Sequence, residues 1–159
     1  MAHHGDRIRP GETCLTHLPK ADAGLVFIGV IRTPFATRDD CPRQGDRDGG
    51  PPCRIEIDPV FAPALDGLEA YPRIEVLYWL HAARRDLLTQ SPKGAGVLRG
   101  SFALRSPLRP NPIGTSVVSL LERAGPVLHV RGLDCLDGTP LVDLKPMRCD
   151  YTVQAPPKP

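Results

Sequence analysis

The sequence predicts a mainly β domain, a barrel or sandwich of short strands, on three observations. Short apolar runs rich in β-branched residues recur at hairpin spacing. Nineteen prolines and fifteen glycines in 159 residues favour many short elements joined by turns. One stretch, Ala82–Leu88, is built of helix formers.

In chain order, residues 1–23 are polar and mixed, with Pro10 and Pro19 breaking periodicity, and predict a loose N-terminal arm. Leu25–Ile31 predicts a buried strand, stopped by Thr33-Pro34. Ala36–Cys53 is a long polar loop, and a loop of that length in a small domain is either functional or disordered. Arg54–Asp58 alternates polar and apolar as a half-buried strand does. Pro59–Leu68 predicts a connection with one helical turn around Ala64. Ile74–Leu80 carries Ile, Val, Tyr and Trp and predicts a strand reaching His81; Ala82–Leu88 predicts a short helix and Val97–Leu104 another strand. Thr115–Glu122 and Val127–Leu133, joined across Gly125-Pro126, predict a strand, a turn and a strand. Asp137-Gly138-Thr139-Pro140 is a tight-turn signal before Leu141–Leu144. The organisation expected is one domain over 24–150, with a disordered Pro-rich tail at 151–159.

Composition narrows the functions open to the chain. No apolar run approaches the roughly 18 residues of a membrane span, and the first residues lack a secretory pattern, so a cytoplasmic protein is expected. Five cysteines with no C-x-x-C pair argue for reduced, structural thiols and for no metal; Cys41 and Cys53 flanking a polar loop have no diagnostic spacing. A net charge of +2 is far from the footprint of a protein that holds nucleic acid by charge alone, although Arg84-Arg85 and the set Arg99, Arg105 and Arg109 are local basic patches. No G-x-S-x-G, H-E-x-x-H, P-loop or G-x-G-x-x-G occurs, and the missing glycine fingerprint argues against a Rossmann-type nucleotide site.

What remains is polar density in loops. In Arg105–Gly114, Pro107, Pro110 and Pro112 fix φ and push Ser106, Arg109 and Asn111 to extended conformations. Taken alone the segment reads first as a surface loop. Its stiffness also suits presentation of Arg105, Arg109 and Asn111 to an anionic or amide-rich ligand. Pro42-Arg43-Gln44, His81 at a strand end and Asp134–Pro140 are the other candidates. Each has a structural reading beside it: a solvated loop, a hydrogen-bonded core-edge histidine, and a turn.

Together these loops resemble one family. Arg105–Gly114 matches the signature R-S-P-x-R-P-N-P-I-G, Gly132–Pro146 matches G-L-D-x-L-D-G-T-P-x-x-D-I-K-P, and Ile28–Phe35 matches I-G-x-I-R-[ST]-P-[FY]. Pro42-Arg43-Gln44 and Gly67-Leu68-Glu69-Ala70-Tyr71 fit in order. The chain resembles the TsaA-like family, tRNA methyltransferase O. The resemblance implies a small closed or partly open β-barrel with one or two short helices, dimeric, binding S-adenosylmethionine without a Rossmann fold. It implies methylation of N6 of threonylcarbamoyladenosine next to the anticodon of tRNA. The cofactor residues it implies are Pro42, Arg43, Gln44, His81, Arg105, Thr115, Asp137, Gly138, Thr139 and Pro140, with Arg109, Asn111 and Lys145 toward the substrate. An arginine suits the cofactor carboxylate through a bidentate pair, and Asp137 its ammonium or ribose. His81 and Asp137 are the expected proton acceptors. Two alternatives stay open: the same cofactor with another acceptor, and a non-catalytic module that binds S-adenosylmethionine or RNA.

Overall fold

The computed structural model describes residues 8–92 and 96–147; the tail predicted at 151–159 lies outside them. Among the described residues there are eight strands: β1 (Gly29–Arg32), β2 (Pro52–Ile57), β3 (Arg73–Trp79), β4 (Thr89–Gln90), β5 (Arg99–Gly100), β6 (Ile113–Ala124), β7 (Val127–Arg131) and β8 (Thr139–Pro146). Among the described residues the helical content is 3-10, at Pro59–Leu65, Leu68–Ala70 and Ser101–Ala103. No helix among them is long and apolar enough to cross a membrane. The chain divides into two compact units, 25–79 with 115–159, and 1–24 with 80–114.

The larger unit holds the predicted barrel, closed in the order β1-β2-β7-β6-β3-β8. Alternation along the strands builds it. On β2 and β3 every second residue is buried, which sends Cys53, Ile55, Ile57 and Ile74, Val76, Tyr78 inward. Each barrel strand gives a fully buried side chain to the centre: Ile31, Ile55, Leu128, Val118, Val76 and Leu141. Ile31 pairs with Ile55, and Ile55 with Leu128, so three of them lie in one register across neighbouring strands. The 3-10 turn at Pro59 is capped by Asp58, whose carboxylate accepts the Val60 N–H at 3.1 Å.

The ends of β1, β3 and β7 and the starts of β2, β6 and β8 share one rim, as antiparallel pairing requires. The loops 33–51 and 132–138 cross that rim. Pairing of β3 with β8 shifts between Leu77 and Tyr78, leaving Val142 unmatched. Such a bulge re-aims the side chain beside it, here Tyr78.

Several expectations give way for local reasons. The first strand begins at Gly29, not Leu25, because Leu25, Val26 and Phe27 are exposed and precede the pairing with β2. Phe27 packs instead at a tilt on Trp79, ring centres 6.5 Å apart. β3 stops at Trp79, two residues before His81, where Leu80 donates to Pro112 O and accepts from Ala83 N–H in a turn. The helix expected at Ala82–Leu88 does not form. Arg84 clasps Asp86 through Nε and Nη2 at 2.9 and 2.6 Å, an i, i+2 pair that a helix cannot make. The chain then runs extended, bridging Leu87 to Cys14. The strand expected at Val97–Leu104 shrinks to Arg99–Gly100, followed by a 3-10 turn.

The smaller unit has few strands and is tied by polar contacts. Within the expected loose arm, residues 9–15 are bonded: Leu15 N–H to Asp86 O, Leu88 N–H to Thr13 O, and the Glu12 carboxylate accepting Ser91 N–H. The Thr13 and Thr89 hydroxyls meet at 2.7 Å. In the proline loop, Arg109 Nη2 donates to Ser101 O and Leu104 O, and Gln90 donates to Leu108 O.

Candidate functional site

The barrel rim gathers most of the expected residues. The long polar loop is neither disordered nor shapeless. Asp40 caps its first turn, its carboxylate accepting Thr37 N–H and Oγ1, each at 2.8 Å. Asp46 caps the second, accepting Asp48 and Gly49 N–H at 3.0 and 2.9 Å. These bonds, from Thr37 first on Asp40 and from Gly49 first on Asp46, hold both carboxyls below the usual range. Pro42, Arg43 and Gln44 stand exposed between the two turns. They are set against the barrel by a glycine pair. A Cβ on Gly45 would lie 1.8 Å from Gly132 O, and Gly132 itself has φ +114°.

Asp137–Pro140 closes the same rim. Asp137 Oδ1 accepts Thr33 N–H at 3.1 Å, and its Oδ2 is 3.9 Å from Arg32. Its backbone N–H binds Phe35 O, and Gly138 N–H binds Ile31 O. Thr139 is buried, its hydroxyl bonded to Leu136 O at 2.7 Å. Thr115, at the start of β6, donates to Glu75 at 2.9 Å.

Lys145 is placed apart from this group. It sits six residues along β8 from Thr139, roughly 20 Å by strand rise, and pairs with Asp143 at 2.9 Å.

His81, Arg105, Arg109 and Asn111 belong to the smaller unit. His81 is exposed, and among the described residues its ring makes no hydrogen bond. Arg105 lines a cavity of about 300 Å³ with Arg9, Glu12, Gln90, Ser91 and Ser106. It makes no hydrogen bond or ion pair among the described residues. Arg109 instead holds its own loop, with Nε buried and without a partner there.

The rim also carries a group the sequence reading did not assign. Tyr78 Oη donates to Asp134 Oδ1 at 2.6 Å, Ser116 Oγ donates to the same oxygen at 3.1 Å, and the two hydroxyls are 2.8 Å apart. Burial first, then the Asp134 charge, pushes the Tyr78 phenol far above its ordinary value. Burial, with Asp134 adding, raises the Cys41 thiol beside Pro42, and burial drives Cys135 up to about 12. Both thiols are therefore protonated near neutrality and unsuited to nucleophilic work. Among the described residues no three His, Cys, Asp or Glu side chains are grouped to hold a metal. The signal for the trio lay in the inward phase of Tyr78 on β3, which a buried hydroxyl must satisfy with an acceptor.

A titration checks this trio. The folded protein keeps Tyr78 protonated, so the stability it contributes is whole below about pH 10 and falls as pH rises past that value. Absorbance titration is expected to leave one tyrosine un-ionised until alkaline unfolding, and Tyr78→Phe to flatten the alkaline limb of the stability curve. Complete tyrosine ionisation in the folded state would refute it.

Comparison with known proteins gives a consistent result. The sequence model of the tRNA-methyltransferase O N-terminal domain matches residues 30–151. A probable S-adenosyl-L-methionine-binding protein, VirR of Rhizobium radiobacter, is 51% identical over 145 residues, 91% of this chain and 82% of that protein. The tRNA (adenine(37)-N6)-methyltransferase of Escherichia coli is 35% identical over 129 residues, 75% of this chain and 55% of the enzyme. The crystal structure of TrmO from Pseudomonas aeruginosa superposes with a TM-score of 0.69 at 31% identity, over 90% of this chain. The chain spans 62% of that solved protein.

Proposed function

The chain belongs to the tRNA-methyltransferase O family, and from that membership we propose that it is an S-adenosylmethionine-dependent methyltransferase acting on tRNA. The finer acceptor in this reading is N6 of threonylcarbamoyladenosine next to the anticodon. The observation that carries it is Arg105: a cation on the proline-stiffened loop, lining a cavity, with no ion-pair partner among the described residues. A guanidinium so placed fits a carboxylate bidentately, and the cofactor's amino-acid end presents one.

In this reading Pro42, Arg43, Gln44, Thr115 and Asp137–Pro140 bind the cofactor together with His81 and Arg105, and Arg109, Asn111 and Lys145 serve the RNA. Bound S-adenosylmethionine supplies an activated methyl group. The protein aligns donor and acceptor and excludes water, so no nucleophilic side chain is required. The acceptor nitrogen gives up a proton. Asp137 is engaged by Thr33 and Arg32, which favours the unbonded His81 as proton acceptor.

Calorimetric titration with S-adenosylmethionine tests the core of the proposal. Arg105→Ala is expected to weaken binding by about tenfold to a hundredfold, the worth of a charged hydrogen bond of roughly 1.5–3 kcal/mol. Equal binding by parent and variant would remove Arg105 from the site. Transfer of labelled methyl to tRNA with and without threonylcarbamoyladenosine then tests the acceptor. A second reading, the same cofactor with another acceptor, is favoured by the relative of which this chain covers the larger share, since that protein is named only for binding S-adenosyl-L-methionine. Methyl transfer to tRNA lacking the modification would select it.

A further inference from the structure

We propose that residues 96–114 present an RNA-docking surface on which Phe102 stacks an unpaired base and Arg99 meets the phosphate backbone. The inference rests on the tRNA reading above and names the surface that would serve it.

Charge is divided unequally along the chain. The smaller unit has nine Lys and Arg against four Asp and Glu, a net of +5; the other has eleven against fourteen, a net of −3. The near-neutral total therefore hides a basic unit, and within residues 80–114 the balance is six to one. That one acid, Asp86, is already paired with Arg84. Arg99 is exposed, and its side chain makes no hydrogen bond or ion pair among the described residues.

The second observation is independent of charge. Phe102 is 81% exposed, yet the backbone on both sides of it is fixed. Ser101 is buried; its hydroxyl donates to Leu87 O and accepts from Gln90, both at 2.8 Å. Arg109 reaches past Phe102 to bond Ser101 O at 3.2 Å and Leu104 O at 2.9 Å. Leu104 N–H closes the 3-10 turn on Ser101 O. A phenyl ring is thus held out of the core by a hydrogen-bonded turn. Such a ring suits base stacking, which tolerates any base, beside cations that follow the backbone. A second copy of this chain is the weaker occupant. A two-fold contact on this face would set Arg99 against basic residues of its own kind.

The test uses the full chain and a fluorescently labelled anticodon stem–loop RNA, with binding read by anisotropy. Phe102→Ala is expected to weaken binding roughly tenfold and Phe102→Trp to restore it. Arg99→Ala is expected to lower the slope of log affinity against log salt by about 1. S-adenosylmethionine binding stays unchanged in all three, because none of these residues is assigned to the cofactor. Unchanged RNA affinity in Phe102→Ala would overturn the proposal, as would a drop in sedimentation coefficient from dimer to monomer, which would assign the face to self-association. A parent protein that binds cofactor but no RNA would defeat the tRNA reading itself, and this surface with it.

Discussion

Replacing Gly45 with alanine is expected to destabilise the folded chain by about 1–3 kcal/mol, the range for forced overpacking, and to weaken S-adenosylmethionine binding more than that loss alone explains. The added carbon would lie 1.8 Å from the Gly132 carbonyl oxygen and 2.5 Å from its carbon. No rotamer can relieve a clash between two main chains, so one segment must move. Gly132 has little freedom to give way, because its own Cβ position is 2.9 Å from Arg47 Cα. The polar loop is the softer partner, and Pro42, Arg43 and Gln44 lie immediately before the clash. Denaturant unfolding measures the first effect and calorimetry below the transition the second. A variant with parental affinity would show that the loop's seat on the barrel has no part in holding the cofactor.

Asp134→Ala is expected to cost about 1–3 kcal/mol, the penalty for stranding buried donors. One carboxylate oxygen accepts from both Tyr78 and Ser116, and without it the two hydroxyls have only each other. Asp134→Asn keeps an acceptor in place and removes the charge, so it is expected to lose less stability while bringing the Tyr78 phenol down toward its ordinary range. A double-mutant cycle of Asp134→Ala with Tyr78→Phe is expected to show strong coupling. Additive losses would mean that the observed contact contributes little.

The barrel was legible because strand period and turn chemistry agree along 113–146, where the hairpin at Gly125 and the turn at Gly138 fall where the residues place them. Two of the family motifs fall on or beside the loops 33–51 and 132–138 that cross the rim, and the comparisons bear out the family assignment. Legibility failed where long-range contacts overrode local preference. Ala82–Leu88 has the composition of a helix, but Cys14 and Thr13, some seventy residues earlier, claim its backbone. Leu25–Phe27 has the composition of a buried strand but finds no partner strand. The Asp134 trio was hidden for a related reason. Its members come from β3, β6 and the loop after β7, and only the pairing of β6 with both β7 and β3 makes them neighbours.

Closure has a consequence of its own. Each strand of the six has a bonded neighbour on both sides, so among the described residues the barrel has no edge strand to which a partner could add another. Recognition there must go through side chains and rim loops, and an extended peptide has no template to extend. The loops are thereby free to diverge in sequence without exposing a sticky edge, so that one cofactor-holding frame could be re-aimed at new acceptors by exchanging the segments that cross its rim.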